Sequence, residues 1–158
     1  MILNLSLSQQ SLRLMEGESC LRSYVVSTAL NGPGEQKNSG QTPRGVHYIR
    51  AKIGQDMPLN AVFVGRRFTG EVYTPELAQQ FPGRDWILTR ILWLCGNESG
   101  RNRLGNVDTM QRYIYIHGTP DTEAMGVPLS HGCIRMRNSD LIDLFDRVPL
   151  GTSIQIEE

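Results

Sequence analysis

The chain has 158 residues, 39% hydrophobic and 20% charged, which suffices for one domain (1–158) with its own core and no need of disulfides or a structural metal. Sixteen basic and sixteen acidic residues cancel to a formal charge of zero. That balance excludes the broad cationic field that grips nucleic acid or anionic lipid, and no stretch is apolar for long enough to span a membrane, so a small-molecule or peptide partner is expected.

The first residues, Met1 to Gly17, carry no basic n-region, continuous apolar run or small-residue cleavage site. The expected compartment is therefore the cytoplasm, with a periplasmic or wall location only for a chain whose leader has been removed. Ile2, Leu3, Leu5 and Leu7 largely alternate with Asn4, Ser6 and Ser8, and Leu12 and Leu14 alternate with Ser11 and Arg13. Period two predicts strands. A third run, Cys20 to Ala29, ends at Asn31-Gly32-Pro33-Gly34, so the chain opens as an antiparallel meander.

Residues 31–45 form a loop that returns through Thr42-Pro43-Arg44-Gly45 to a strand from Val46 to Lys52. Pro58 to Phe68 and Trp86 to Cys95 supply further apolar runs, and Thr74-Pro75-Glu76 caps a short helix reaching Gln80. Arg112 to His117 reads as a strand ending at the histidine. Asn138-Ser139-Asp140 offers caps for a helix carrying Leu141, Ile142, Leu144, Phe145 and Val148, stopped by Pro149 and Gly151, and Ser153 to Ile156 closes the chain as a strand. The sum is an α+β domain, mainly β, with two or three short helices.

Ser130-His131-Gly132-Cys133-Ile134-Arg135 gathers reactive and permissive residues where a loop is expected to give way to a helix. A thiol acts as its thiolate, which a helix N-terminus, an imidazole or a cation such as Arg135 favours. Gly132 lets the backbone approach a substrate, so nearby amides can face a developing oxyanion. His117, at a strand end and followed by Gly118-Thr119-Pro120, is the candidate base. The cleft walls are expected from loops 31–45, 55–60 and 118–129.

The bland reading is that one Cys near one His is a packing coincidence. Against it stands the polar setting of Cys133, whereas Cys20 and Cys95, flanked by Leu21 and Leu94, fit buried structural thiols. A zinc site from His117, His131 and Cys133 with Asp121 or water is chemically allowed, but the paired ligand spacings are missing, and neither metal nor cofactor is expected.

Ile114-Tyr115-Ile116-His117-Gly118, a gap, then Ser130-His131-Gly132-Cys133-Ile134-Arg135-Met136 resembles the signature of the L,D-transpeptidase (YkuD-type) catalytic domain. The opening strands, Val26-Ser27-Thr28 and Thr42-Pro43-x-Gly45 resemble that family too. His47 departs from its pattern, where an aromatic usually follows the turn, and residues 55–105 have no clear counterpart.

The resemblance implies a β-sandwich with Cys133 as nucleophile, His117 as base and the Gly118 carbonyl orienting the imidazole. It also implies that Ser130, His131 and Gly132 shape the catalytic turn, that the N–H groups of Gly132 and Cys133 form the oxyanion hole, and that Arg135 and Tyr115 bind substrate. Arg135 in a structural salt bridge is an equal alternative.

The implied reaction is cleavage after the L-centre of a diamino acid, usually meso-diaminopimelate, in a peptidoglycan tetrapeptide, releasing D-alanine through a thioester. Carbapenem-type β-lactams are implied as covalent inhibitors. The cytoplasmic expectation favours an L,D-carboxypeptidase acting on muropeptides during recycling; the alternative is a transpeptidase making 3-3 cross-links in the wall. A catalytically silent wall-peptide-binding module is the non-enzyme reading. Papain-like peptidases place cysteine before histidine, the reverse of the order here.

Overall fold

The computed structural model describes residues 1–158. The alternating N-terminus forms β1 (Ile2–Ser6), β2 (Ser11–Glu16) and β3 (Ser19–Ser27), paired antiparallel as a meander. Leu3, Leu5, Leu12 and Leu14 are fully buried on one face, as period two requires. The last strand, β10 (Ser153–Glu157), lies between β1 and β4 (Gly45–Ile53), parallel to the first and antiparallel to the second.

The other half contains β5 (Ala61–Val64), β6 (Arg67–Val72), β7 (Ile87–Gly96), β8 (Tyr115–Gly118) and β9 (Ile134–Met136). The strand order is β4-β10-β1-β2-β3-β9-β8-β7-β5-β6, and a further β4–β7 pairing closes the sheet on itself. The expected mainly β fold is present, and its two faces belong to one continuous, barrel-like sheet.

Two short helices pack against it. Helix α1 (Pro75–Gln80) starts where expected, because Thr74 Oγ1 accepts the Leu77 N–H at 3.1 Å and proline fills the first turn. Helix α2 (Asn138–Arg147) turns Leu141, Leu144 and Phe145 into the main core beside Leu92, Ile116 and Ile134. Burying each such side chain is worth about 1.5–3 kcal/mol. Neither helix is long and apolar enough to cross a membrane.

Four local expectations are corrected. The strand read from Arg112 begins at Tyr115, because Tyr113 has φ 57 and the Arg112 guanidinium is drawn to the Gln41 carbonyl at 2.6 Å. Asn138 does not cap α2; Arg137 occupies the cap without a side-chain hydrogen bond. The Asn138 amide instead donates to Thr119 O at 2.9 Å and Asn60 Oδ1 at 3.0 Å and accepts from the Thr89 hydroxyl at 2.6 Å, tying two loops to β7. Cys20 is exposed rather than buried, since β3 leaves the core before Tyr24; Cys95 is buried as expected. Cys133 leads into strand β9, not into a helix.

His47 explains itself once folded. Its ring is fully buried, with Nδ1–H donating to Gly45 O at 3.1 Å and Nε2 accepting from the Thr109 hydroxyl at 2.8 Å. The pair pins the loop after β7 onto β4, as does buried Asn102, whose amide reaches the carbonyls of Arg44 and Val46, both at 3.1 Å. Burial holds the His47 ring well below the ordinary imidazole range, at about 4, against smaller opposing effects of Gly45 O and Glu98.

A folded-state value below the unfolded one means that the unfolded chain takes up a proton which the native ring refuses. Stability is therefore full above about pH 6.5 and declines as pH falls toward 4, by roughly 3 kcal/mol in all. His117, lowered by burial as well, acts in the same direction. Urea unfolding at pH 7 and pH 4.5 measures this. We expect His47→Gln to be weaker than wild type at pH 7 yet to lose less on acidification; an equal loss in both proteins assigns the titration elsewhere.

Candidate active site

The site is built where β8 and β9 run parallel, with His117 opposite Arg135 and Ile116 opposite Ile134. The turn before β9 is fixed by its own polar groups. The Ser130 hydroxyl donates to Cys133 O at 2.6 Å and accepts the Gly132 N–H at 3.2 Å. Gly132 sits at φ 131, a conformation that L side chains rarely adopt. From outside the motif, Thr42 Oγ1 donates to Gly132 O at 2.9 Å and accepts from Ala29 N–H at 3.0 Å, so the Thr42-Pro43 turn braces the turn before Cys133.

Cys133 is half-buried at a cleft of about 470 Å³. Its thiol donates to Tyr113 O and its sulfur accepts the Tyr115 N–H, both at 3.3 Å. Burial pushes the thiol up to about 11, the Asp85 carboxylate adding to the rise while the Tyr115 N–H, Arg135 and Arg112 oppose it. The Cys133 thiol is thus neutral at rest, without the helix N-terminus expected beside it.

His117 is buried on the adjoining strand, and its Nδ1 lies 2.6 Å from Gly118 O. A carbonyl only accepts, so in the neutral ring Nδ1 carries the proton and Nε2 the basic lone pair. Burial holds the ring below its ordinary range, with the Gly118 carbonyl and Asp85 opposing and Arg135 assisting. Gly118 must lack a side chain, since a Cβ would collide with Asn138 Oδ1 and the Leu88 carbonyl. The Asn138 cluster therefore packs directly against the glycine whose carbonyl sets the imidazole tautomer.

The remaining residues divide clearly. Tyr115 is buried, and its hydroxyl accepts from Arg66 at 3.0 Å. Arg135 lines the cleft and meets Asp85 Oδ1 at 3.3 Å, so it is both an ion-pair member and a wall residue. His131 belongs to the turn through its backbone only: its side chain is 77% exposed, with Nδ1 3.6 Å from Asp85. The Gly132 N–H is committed to Ser130, which leaves the Cys133 N–H as the candidate oxyanion donor of the expected pair.

The walls also differ from expectation. The cleft itself is bordered by Gly65-Arg66 of the β5–β6 turn, by Asp85 and Ile87, and by Arg112 to Tyr115, while loops 31–45 and 118–129 line depressions that adjoin it at Arg112, Tyr113, His131 and Arg135. Arg66, Asp85 and Arg112 were not legible as site residues. Each is a single charged residue in an irregular segment, and only the closed sheet brings them to Cys133.

A neutral thiol and a neutral imidazole sharing one cleft on adjacent strands have the chemistry of acyl transfer through a thioester. Residues 2–156 match the YkuD family model, the L,D-transpeptidase catalytic domain, and the chain belongs to that family. It is 48% identical over 108 residues to the probable L,D-transpeptidase YbiS of Escherichia coli K12, an alignment covering 66% of this chain and 34% of that protein. The chain thus spans about a third of that relative's length.

Among solved structures it resembles the L,D-transpeptidase from Xylanimonas cellulosilytica, with a TM-score of 0.57 at 18% identity over 99% of this chain and 59% of the other. It also resembles L,D-transpeptidase 3 from Mycobacterium tuberculosis in complex with a faropenem-derived adduct, with a TM-score of 0.55 at 17% identity over 99% and 60%. These two likenesses define the fold.

Proposed function

We propose that this domain cleaves the bond between the L-centre of a diamino acid and D-alanine in peptidoglycan tetrapeptides, and that it delivers the acyl group to water. On this reading it is an L,D-carboxypeptidase acting on soluble muropeptides in the cytoplasm. The observation that carries the reading is the Cys133 thiol in an open cleft whose walls present Arg66, Arg112 and Arg135, a cationic setting for a substrate rich in carboxylates.

The steps follow from the groups present. His117 Nε2 takes the thiol proton as Sγ attacks the L-centre carbonyl carbon. The Cys133 N–H faces the oxyanion. The C–N bond then breaks as the imidazolium returns its proton to the amine of D-alanine, leaving a thioester. Water, deprotonated by the same imidazole, attacks that thioester; the C–S bond breaks and tripeptide leaves as the thiol is restored. Exposed Tyr113 and His131 at the rim leave the cleft accessible to water.

The transpeptidase alternative, in which an amine of a second stem peptide replaces water, is favoured by the naming of the relatives. Incubation with a purified tetrapeptide separates the two. We expect D-alanine and tripeptide in equal amounts with little dimer. Abundant 3-3 cross-linked dimer would make the domain a transpeptidase, and no cleavage by folded protein would overturn both readings. A carbapenem or penem should add its mass to Cys133 in the same protein, as the adduct in the Mycobacterium tuberculosis structure encourages.

A further inference from the structure

The tight turn between β5 and β6 carries Gly65 and Arg66 at φ 56 and 65, two successive left-handed residues. From this turn the Arg66 side chain folds over the cleft. Its Cζ lies 4.7 Å from the Trp93 ring centroid and 5.0 Å from that of Tyr113, and one Nη donates to Tyr115 Oη at 3.0 Å. Trp93 packs edge-on against Tyr115 at 6.0 Å between centroids, so the rings form a fixed cage that restrains the guanidinium before any ligand arrives.

The three cleft arginines are not equivalent. Arg135 is paired with Asp85. Arg112 spends its donors on the carbonyls of Gly34 and Gln41 and on the Ser39 hydroxyl. Arg66 has no carboxylate partner, and the Tyr115 hydroxyl is its single hydrogen-bond acceptor. It is the cation with a face left for an anion.

We propose that Arg66 is the residue that reads the side-chain carboxylate of the diamino acid, which makes it specificity-determining for the third position of the stem peptide; this rests on the reaction proposed above. Reach supports the assignment. Tyr115 touches Cys133 Sγ through its N–H and Arg66 through its hydroxyl. One tyrosine, about 7 Å from N to Oη, with contacts of 3.3 and 3.0 Å at its two ends, therefore spans the way from the thiol to the guanidinium. In diaminopimelate the second carboxylate lies about 7 Å along the side chain from the L-centre carbonyl carbon, and a C–S bond at one end and a hydrogen bond at the other add about 5 Å, so one side chain covers the same span. The D-alanine carboxylate is only about 4 Å from the scissile carbon and falls short of Arg66. A lysine in the same position ends in an ammonium group, which Arg66 repels.

The test uses binding, so that it stands apart from turnover. Affinities of a diaminopimelate tetrapeptide and of its lysine counterpart are measured by calorimetry with Cys133→Ala and with Cys133→Ala/Arg66→Gln, each shown folded by circular dichroism. We expect Arg66→Gln to weaken the diaminopimelate peptide about 10- to 100-fold, the scale of a charge-assisted contact, and to leave the lysine peptide no weaker, or tighter as the repulsion is lifted. Arg66→Lys should retain part of the affinity. Equal loss for both peptides, no loss for either, or no binding of either overturns the proposal. Discrimination in binding without cleavage by the wild-type protein would instead sink the reaction and leave the role of Arg66 standing.

Discussion

Cys133→Ala should leave a folded domain whose turnover of tetrapeptide falls by about 10⁵-fold or more, the scale seen when a covalent nucleophile is removed. The fold should survive because the side chain is half-buried at the cleft and the turn is held by others: Ser130 through its two hydrogen bonds and Thr42 through Gly132 O. Cys133→Ser should be nearly as inactive. Its hydroxyl can take over the Tyr115 N–H, but an alcohol yields its proton far less readily than a thiol.

Cys20→Ala should be silent, since that thiol is exposed and bonds only to Arg22 O at 3.3 Å. Cys95→Ala should retain activity with a stability loss of about 1–2 kcal/mol for a small buried side chain. Steady-state assays with urea unfolding of each variant check the set. Loss of turnover in Cys20→Ala or Cys95→Ala without unfolding, with Cys133→Ala still active, would overturn the nucleophile assignment.

The N-terminal meander was legible because period-two alternation directly records a sheet with one buried face, and Leu3, Leu5, Leu12 and Leu14 do face the core. Helix α1 was legible from Thr74 and Pro75, whose signals are local. The candidate nucleophile and base stood out because a histidine, a loop and Ser-His-Gly-Cys form a compact motif. Local signals failed where long-range contacts decide. Arg112 belongs by pattern to the strand that follows it, yet its pull toward Gln41 and the left-handed Tyr113 delay β8 to Tyr115.

Asn138 has the composition of a helix cap, but buried partners from Asn60, Thr89 and Thr119 outcompete the helix for its amide. Cys20 shares an apolar neighbour with Cys95, but burial depends on how far the sheet extends, which a neighbour does not reveal. Arg66 and Asp85 reach the cleft only because β5, β6 and β7 close the sheet around it, so no spacing in the chain marks them.

His117→Gln should lower acylation by about 10²- to 10⁴-fold, the range of a lost general base, with a smaller change in substrate binding. The pH profile tells more than the rate. With the thiol at about 11 and the imidazole held below its ordinary range, both partners are neutral across the whole interval between. Only the imidazolium, formed at lower pH, cannot accept the thiol proton. The kcat/KM of the wild type should therefore fall on an acid limb below pH 6.5 and stay flat through pH 9. This differs from a preformed thiolate–imidazolium pair, whose profile requires the thiol to titrate below the imidazole.

In His117→Gln nothing removes the proton, so the residual rate should follow the thiolate fraction and rise about tenfold per pH unit toward 11. His131→Gln should keep the wild-type profile, because that side chain is 77% exposed and serves the turn through its backbone. A flat profile in His117→Gln, or an acid limb displaced by His131→Gln instead, would remove His117 from the role of base.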